Sequence, residues 1–292
     1  MIASGMLSEI PDPATAHRVG VVVPPSNPVV EPELDALVGN DVLVYGARLP
    51  RFTGRTLEER NELYIPAYAE ALDELFGLDP VCALVAMTGP NYHLGVDGDR
   101  DLCADLTARF SAPVRTASLA IHDTLDALGI NKIHLLTPYP DWLTDDTVRY
   151  WTGGGMNVVA VENLLSKGEE FHAYETGTDE VVARLRAIDP EPDSVVLLTG
   201  TGLVSVASIY LVGHGCSVPI LSSNLCGVWW ILNQCGDSPG SDLYQQIALS
   251  HIAGPTVGNH DSVLDAAQQG IGRLSGPVGD DDRRPGPSDR QQ

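Results

Sequence analysis

Small polar side chains follow the apolar runs of this sequence at the points where the runs end. The polar residues at these ends are Ser26, Asn27, Thr88, Tyr92, Tyr139, Thr199 and Thr201. Hydroxyl groups and aligned backbone N–H groups at two facing helix starts would hold a carboxylate and stabilise an enolate formed from it. The first hypothesis is therefore a site for a small carboxylate. For any single hydroxyl, a helix cap is the alternative interpretation.

Three residues near these ends carry groups that move protons, namely Tyr92, His93 and Tyr139. A histidine suits this role because its unperturbed pKa of about 6.5 lies close to neutral pH. A solvent-exposed loop histidine is the alternative interpretation of His93. We predict Thr88, Tyr139, Tyr92 and His93 as the catalytic candidates.

Familiar cofactor and nucleophile motifs do not account for this pattern. The turn Gly200-Thr201-Gly202 lacks the third glycine of a dinucleotide-binding turn and comes late in the chain. The sequence has no GxxxxGK[ST] and no HExxH motif. The histidines are scattered, so no cofactor and no metal site are expected.

Each half of the sequence contains nearly the same pattern of apolar runs followed by polar turns. The run Gly20–Val23 ends in Pro24-Pro25-Ser26-Asn27, and Ile133–Thr137 ends in Pro138-Tyr139. Later in each half a second apolar strand opens into a turn with threonine and glycine, at Thr88 and at Thr199. Apolar strands alternating with helical patterns predict βαβ units. We therefore expect an α/β fold with two pseudo-symmetric Rossmann-like lobes, mostly parallel sheets and the active site between them.

The expected boundaries follow from this repetition. Residues 1–17 are expected to form a loose extension and residues 275–292 a disordered acidic tail, because neither carries enough apolar side chains. The first lobe should span residues 18–115 and the second lobe residues 116–215. Residues 216–250 are expected to return and complete the first lobe.

Charge limits the class of partner. Thirty-nine Asp and Glu residues against 17 Lys and Arg residues give a formal net charge of −22. This balance argues against nucleic acid and against an anionic membrane surface. No run approaches the roughly 20 apolar residues that span a bilayer, and the start of the chain lacks the pattern of a signal peptide. The five cysteines show no CxxC spacing, so we expect a cytoplasmic protein with reduced, structural thiols.

Five collinear stretches resemble the aspartate/glutamate racemase superfamily, in the branch of maleate cis-trans isomerases and arylmalonate decarboxylases. The stretches are Gly20–Glu33, Ala86–Tyr92, Leu136–Tyr139, Leu197–Gly202 and Pro219–Asn224 ahead of Trp229. The resemblance implies two pseudo-symmetric lobes, an active site between them and no cofactor. It also implies a binding apparatus made of Asn27, Thr88 and Tyr139, with Ser26 nearby and backbone N–H groups near Gly89, Gly200, Thr201 and Gly202.

The chain departs from this branch at both family cysteines. The resemblance places the first cysteine at Met87 or Thr88 and the second at Gly200. In the racemases these thiols act as acid and base. In maleate isomerases one is a nucleophile, and in arylmalonate decarboxylases the second donates a proton. Their loss excludes a two-thiol racemase, and it argues against an isomerase that works through a thiol adduct.

The function expected from the sequence is that of a cofactor-independent enzyme. It would act on a small carboxylate or dicarboxylate through an enolate-like intermediate, as a decarboxylase-type carbon–carbon lyase. A maleate-type cis-trans isomerase and a catalytically silent carboxylate-binding protein stay open as alternatives. A homo-oligomer also stays open.

Overall fold

The computed structural model describes residues 11–165, 174–236 and 238–252. The strands within these residues are β1 (His17–Val23), β2 (Val42–Arg48), β3 (Cys82–Val85), β4 (Val114–Thr116), β5 (Lys132–Thr137), β6 (Asn157–Asn163), β7 (Val195–Leu198) and β8 (Ile220–Ser222). The helices are α1 (Val30–Val38), α2 (Leu57–Phe76), α3 (Gly89–Tyr92), α4 (Gly95–Phe110), α5 (Ala117–Leu128), α6 (Asp141–Gly153), α7 (Thr178–Ala187), α8 (Val206–Val212), α9 (Ser223–Gln234) and α10 (Asp242–His251).

The strands form two parallel sheets with the same internal order. The first sheet runs β2-β1-β3-β4 and the second runs β6-β5-β7-β8. Every neighbouring pair of strands in both sheets is parallel. This equivalence confirms the prediction of two pseudo-symmetric α/β lobes.

Burial explains which runs became central strands. All four residues of β3 and all four of β7 are buried, as expected for strands covered on both faces. The edge strand β6 is mostly half-buried, and its Val161 is exposed. The continuous apolar runs of the sequence therefore marked the strands nearest the middle of each sheet.

The helix caps repeat the symmetry of the sheets. Thr116 at the end of β4 accepts a hydrogen bond of 3.2 Å from the backbone N–H of Leu119 and caps α5. Ser222 at the end of β8 accepts a bond of the same length from Leu225 and caps α9. A hydroxyl at this position satisfies one of the N–H groups that a helix start leaves without a partner. The two capped helices pack against each other.

One predicted boundary is wrong at a strand. We expected residues 216–250 to complete the first lobe, but β8 within this range pairs with β7 in the second sheet. The helices that follow, α9 and α10, do pack against α1 of the first lobe. A close approach permits this crossover, because a Cβ on Gly227 would lie 2.8 Å from Leu84 Cδ2. A larger residue at this position would force the Leu84 side chain to shift.

Both predicted terminal segments lie partly or wholly outside the described residues. Residues 1–10 of the predicted extension are outside them, and residue 17 belongs to β1, where it pairs with Val42. The predicted tail, residues 275–292, lies wholly outside them. Across the described part of the chain, none of the helices combines the length and apolar character needed to cross a membrane.

Candidate active site

A cleft of about 390 Å³ lies where the strand exits of the two lobes meet. Parallel strands bring their carboxyl ends to one edge of a sheet, so residues far apart in the chain converge there. The sequence-predicted residues that line the cleft are Ser26, Asn27, Thr88, Gly89, Tyr139, Gly200, Thr201 and Gly202.

A hydrogen bond between two hydroxyl groups crosses the cleft from lobe to lobe. Thr88 Oγ1 lies 2.7 Å from Tyr139 OH, and both side chains are buried. Burial raises the pKa of Tyr139 to about 12, while the hydrogen bond with Thr88 opposes this shift. Tyr139 is therefore a neutral hydroxyl at physiological pH, able to donate a hydrogen bond or a proton to a group in the cleft.

The Tyr139 hydroxyl stands beside Gly200, where the resemblance places a cysteine. A Cβ on Gly200 would lie 3.1 Å from Tyr139 OH and 3.2 Å from Pro138 Cγ. The φ of Gly200 is +93°, a conformation that side chains with a Cβ rarely adopt. The backbone conformation and the close contacts at position 200 thus favour glycine. The space beside it, at the end of β7, is occupied by the Tyr139 hydroxyl.

Asn27 and Thr201 form a second polar link between the lobes. Asn27 Oδ1 accepts hydrogen bonds from the N–H groups of Val29 (2.8 Å) and Val30 (3.1 Å) at the start of α1. These bonds orient the amide so that its nitrogen points to Thr201 Oγ1, at 3.4 Å. Thr201 Oγ1 in turn donates to the carbonyl oxygen of Ala86, at 2.9 Å.

An arginine fixes the turn that carries Ser26 and Asn27. Arg48 Nη1 donates to the carbonyl oxygens of Pro24 (3.3 Å) and Asn27 (3.1 Å). The same guanidinium pairs with Glu31 on α1. This arginine at the end of β2 is therefore engaged in holding the turn in place.

A buried carboxylate anchors the loop that carries Thr201. Glu33 of the first lobe accepts hydrogen bonds from the backbone N–H groups of Ser205 and Val206, from Ser205 Oγ and from Asn224 Nδ2. Asn224 Nδ2 also lies 3.1 Å from the carbonyl oxygen of Thr201. Burial raises the pKa of Glu33, and these hydrogen bonds oppose the shift.

A second buried carboxylate anchors the turn that carries Thr88. Asp99 accepts hydrogen bonds from Asn91 Nδ2 (2.9 Å), Thr116 Oγ1 (2.9 Å) and Tyr150 OH (2.8 Å). Burial raises the pKa of Asp99 to about 6 despite these bonds. Two buried acids of the first lobe thus hold loops of the cleft, Glu33 the loop that carries Thr201 and Asp99 the turn that carries Thr88.

Two sequence-predicted catalytic residues do not line the cleft. Tyr92 is buried behind Tyr139, with the ring centroids 6.2 Å apart. Its hydroxyl lies near those of Thr88, Tyr139 and Thr199, yet it has no hydrogen bond of good geometry within the described part of the chain. His93 follows the one-turn helix α3, and its side chain lies at the surface outside the cleft.

The sequence reasoning missed one face of a helix. Leu57, Arg60, Asn61 and Tyr64 of α2 all line the cleft. Their spacing of three and four residues places them on one side of a helix. The helical period in the sequence groups these residues on one face, but it does not show that this face meets a cleft.

The cysteines lie away from the cleft. Cys82, Cys103, Cys226 and Cys235 are buried, Cys216 is half-buried, and none of the five lines the cleft. Burial raises the pKa of Cys103 and of Cys226 to about 12. Over the described ranges, no group of three or more His, Cys, Asp or Glu side chains is placed to hold a metal ion.

Comparison with known proteins gives a consistent result. A family model described as arylmalonate decarboxylase matches residues 19–247. A maleate isomerase of Geobacillus stearothermophilus is 26% identical over 237 residues, which cover 75% of this chain and 92% of that protein. An arylmalonate decarboxylase of Bordetella bronchiseptica is 24% identical over 217 residues, which cover 74% of this chain and 89% of that protein.

A solved structure gives the same fold. The crystal structure of the maleate isomerase Iso from Pseudomonas putida S16 matches with a TM-score of 0.69 and 19% identity. The match covers 78% of this chain and 98% of that one. It supports the two-lobe architecture described above.

Proposed function

The chain belongs to the arylmalonate decarboxylase family, and on that premise we propose that it removes CO₂ from a small malonate-type diacid without a cofactor. The observation that carries this proposal is the hydroxyl pair of Thr88 and Tyr139 in the cleft. The pair supplies hydrogen-bond donors for the negative charge that decarboxylation leaves behind.

The carboxylate that stays on the substrate would lie between the lobes. The Asn27 amide nitrogen and the Thr88 hydroxyl reach it from the first lobe, and the backbone N–H groups of the Thr201–Gly202 turn reach it from the second. These residues line one cleft and are held by Arg48, Asp99 and Glu33. Preorganised donors of this kind need no rearrangement as charge develops.

The proposed reaction breaks one carbon–carbon bond. The bond to the leaving carboxylate breaks, CO₂ departs, and the electron pair stays on the central carbon and spreads into the remaining carboxylate as an enediolate. The hydroxyl proton of Tyr139 then moves to the central carbon. A proton from water then converts the Tyr139 phenolate back to the neutral phenol, with the Thr88 hydroxyl as its hydrogen-bond partner.

Tyr139 is the proposed donor because of where its hydroxyl stands. It lies beside Gly200, the position at which the resemblance places a proton-donating thiol. A carbanion next to a carboxylate is a far stronger base than a phenolate, so a donor with a pKa of about 12 still transfers its proton downhill.

A cis-trans isomerase is the second candidate function. It is favoured by the 26% identity to a maleate isomerase. The cleft argues against the thiol-adduct route, because none of the cysteines lines it. A panel of substituted malonates and maleate, analysed for released CO₂ and for fumarate, separates the two. CO₂ from a malonate supports the proposal, and conversion of maleate to fumarate without any CO₂ release from malonates refutes it. Binding without turnover would indicate a silent carboxylate-binding protein.

Thiol alkylation should leave the activity nearly intact. Iodoacetamide reacts with thiolates, and burial opposes thiolate formation at Cys103 and Cys226. The half-buried Cys216 should be labelled first. Most of kcat is expected to remain after labelling, measured beside peptide mass spectrometry that locates the label. Rapid inactivation that substrate prevents and that Cys226→Ala abolishes would show a catalytic thiol in place of Tyr139.

A further inference from the structure

The cleft has a polar wall that the proposed decarboxylation does not use. Arg60 and Asn61 lie on the cleft face of α2, between Leu57 and Tyr64. A malonate held by Thr88 and Tyr139 needs no guanidinium in this wall to lose CO₂. The wall would instead face whatever group the substrate carries beyond its two carboxylates.

Arg60 has no carboxylate partner among the described residues. Two arginines close to it in the chain are paired, Arg48 with Glu31 and Arg55 with Glu59. Arg60 Nε is buried from solvent and has no hydrogen-bond partner in the described part of the chain. Burying part of a charged group without a partner costs free energy, so such a group is usually found opposite a ligand or a counter-ion.

Asn61 adds a second unused polar group to the wall. Its side chain is only 7% exposed, and it lines the cleft. Its amide makes no hydrogen bond to another described residue. A Cβ on Gly89 would lie 3.6 Å from Asn61 Nδ2, so the amide adjoins the turn that carries Thr88. The wall is thus continuous with the carboxylate end of the cleft.

The charge of the cleft runs against that of the whole chain. The chain carries 39 acidic and 17 basic residues. Among the residues that the structure describes, the charged ones that line the cleft are Arg51, Arg60 and Glu175. Two arginines against one acid reverse the overall balance. This reversal points to an anionic ligand, because a neutral or cationic substituent would gain nothing from it.

We propose that Arg60 and Asn61 form a second anion subsite, which binds a carboxylate on the substituent of the substrate. This inference rests on the proposed function and names its substrate class: malonates that carry a third carboxylate, rather than malonates with a purely apolar substituent. The guanidinium presents a fork of N–H donors that matches a carboxylate, and the Asn61 amide donates one hydrogen bond more.

The test compares two ligands that differ in one group. Ethane-1,1,2-tricarboxylate and ethylmalonate share the malonate end, and only the first has a carboxylate on its substituent. Dissociation constants are measured by calorimetry in the Tyr139→Phe background, which suppresses turnover. The tricarboxylate should bind at least about tenfold more tightly, since only its third carboxylate can accept charge-assisted hydrogen bonds from Arg60.

The variants assign that preference to residues. Arg60→Met should abolish it, and Asn61→Leu should reduce it several-fold. Arg55→Met is the matched control, because it removes the same charge near the start of α2 from an arginine that does not line the cleft. Equal affinity for the two ligands, or a preference that survives Arg60→Met, overturns the subsite.

Turnover by the unmodified enzyme distinguishes the proposed decarboxylation from the proposed anion subsite. CO₂ release from both ligands without a difference in affinity leaves the decarboxylase standing and removes the subsite. Preferential binding of the tricarboxylate that depends on Arg60, without CO₂ release from either ligand, leaves the subsite standing and removes the decarboxylase.

Discussion

Replacing Tyr139 with phenylalanine should lower kcat about a thousandfold, because a general acid contributes about 10² to 10⁴ in rate and an oxyanion donor a comparable factor. The variant removes only the hydroxyl that lies 2.7 Å from Thr88 Oγ1. The ring and its edge contact with Tyr92 remain. KM and the thermal unfolding temperature should therefore change little. Steady-state kinetics with calorimetric unfolding measures both.

The pH profile of the unmodified enzyme provides a second test of Tyr139. Burial raises the pKa of Tyr139 to about 12, so the group stays protonated until the pH approaches that value. Its protonation state should not limit kcat through neutral and mildly alkaline pH. Tyr45→Phe, in the edge strand β2, is the control for loss of a tyrosine hydroxyl outside the cleft. A kcat for Tyr139→Phe within threefold of the parent enzyme would exclude Tyr139 as the donor.

Glu33→Ala should destabilise the protein by about 4 kcal/mol, since each buried donor left without an acceptor costs about 1–3 kcal/mol. The variant leaves the N–H groups of Ser205 and Val206 and the Asn224 amide without their hydrogen-bond acceptor. For a chain of this size the loss corresponds to a fall of roughly 10 °C in Tm. Differential scanning calorimetry at neutral pH measures it.

The matched control removes an acid of the same type from the surface. Glu70 is exposed on α2, so Glu70→Ala should change stability by no more than about 0.5 kcal/mol. Glu33→Ala should also raise KM, because Asn224 links Glu33 to the backbone of Thr201. A Tm within 2 °C of the parent protein would show that Glu33 is not the anchor of this loop.

The cleft was predictable from sequence because its residues follow strands. Thr88, Tyr139 and Thr201 closely follow short apolar runs of the kind that form buried strands, and parallel strands gather their carboxyl ends at one edge. The repeated pattern also indicated that two such edges face each other. Position along a strand therefore carried direct information about position in the site.

Other residues could not be placed by such reasoning. His93 is one residue past Tyr92, and a single turn of helix sends one inward and the other to the surface. Arg60 lies on a helix, where the period shows which residues share a face but not whether that face meets solvent or a cleft. Glu33 accepts hydrogen bonds from residues more than 170 positions away in the sequence, and no local sequence pattern indicates such partners.

The sequence alone showed that both family cysteines are missing, but it did not show which group takes their place. The resemblance expects one cysteine at Met87 or Thr88 and the other at Gly200. That Tyr139 fills the space beside Gly200 depends on the left-handed backbone at Gly200 and on the direction of the tyrosine ring. Both are consequences of tertiary packing.

The proposed chemistry is tested most directly by mass spectrometry of products formed in heavy water. Two suitable substrates, 2-methyl-2-phenylmalonate and propane-1,2,2-tricarboxylate, have no hydrogen on the central carbon and so cannot acquire deuterium there by background exchange. We expect one CO₂ per turnover, with 2-phenylpropionate and methylsuccinate each carrying a single deuterium on the carbon that lost the carboxylate. Tyr139→Phe should form these products about a thousandfold more slowly. The absence of CO₂ from both substrates, together with conversion of maleate to fumarate by the same preparation, would contradict the assignment as a decarboxylase.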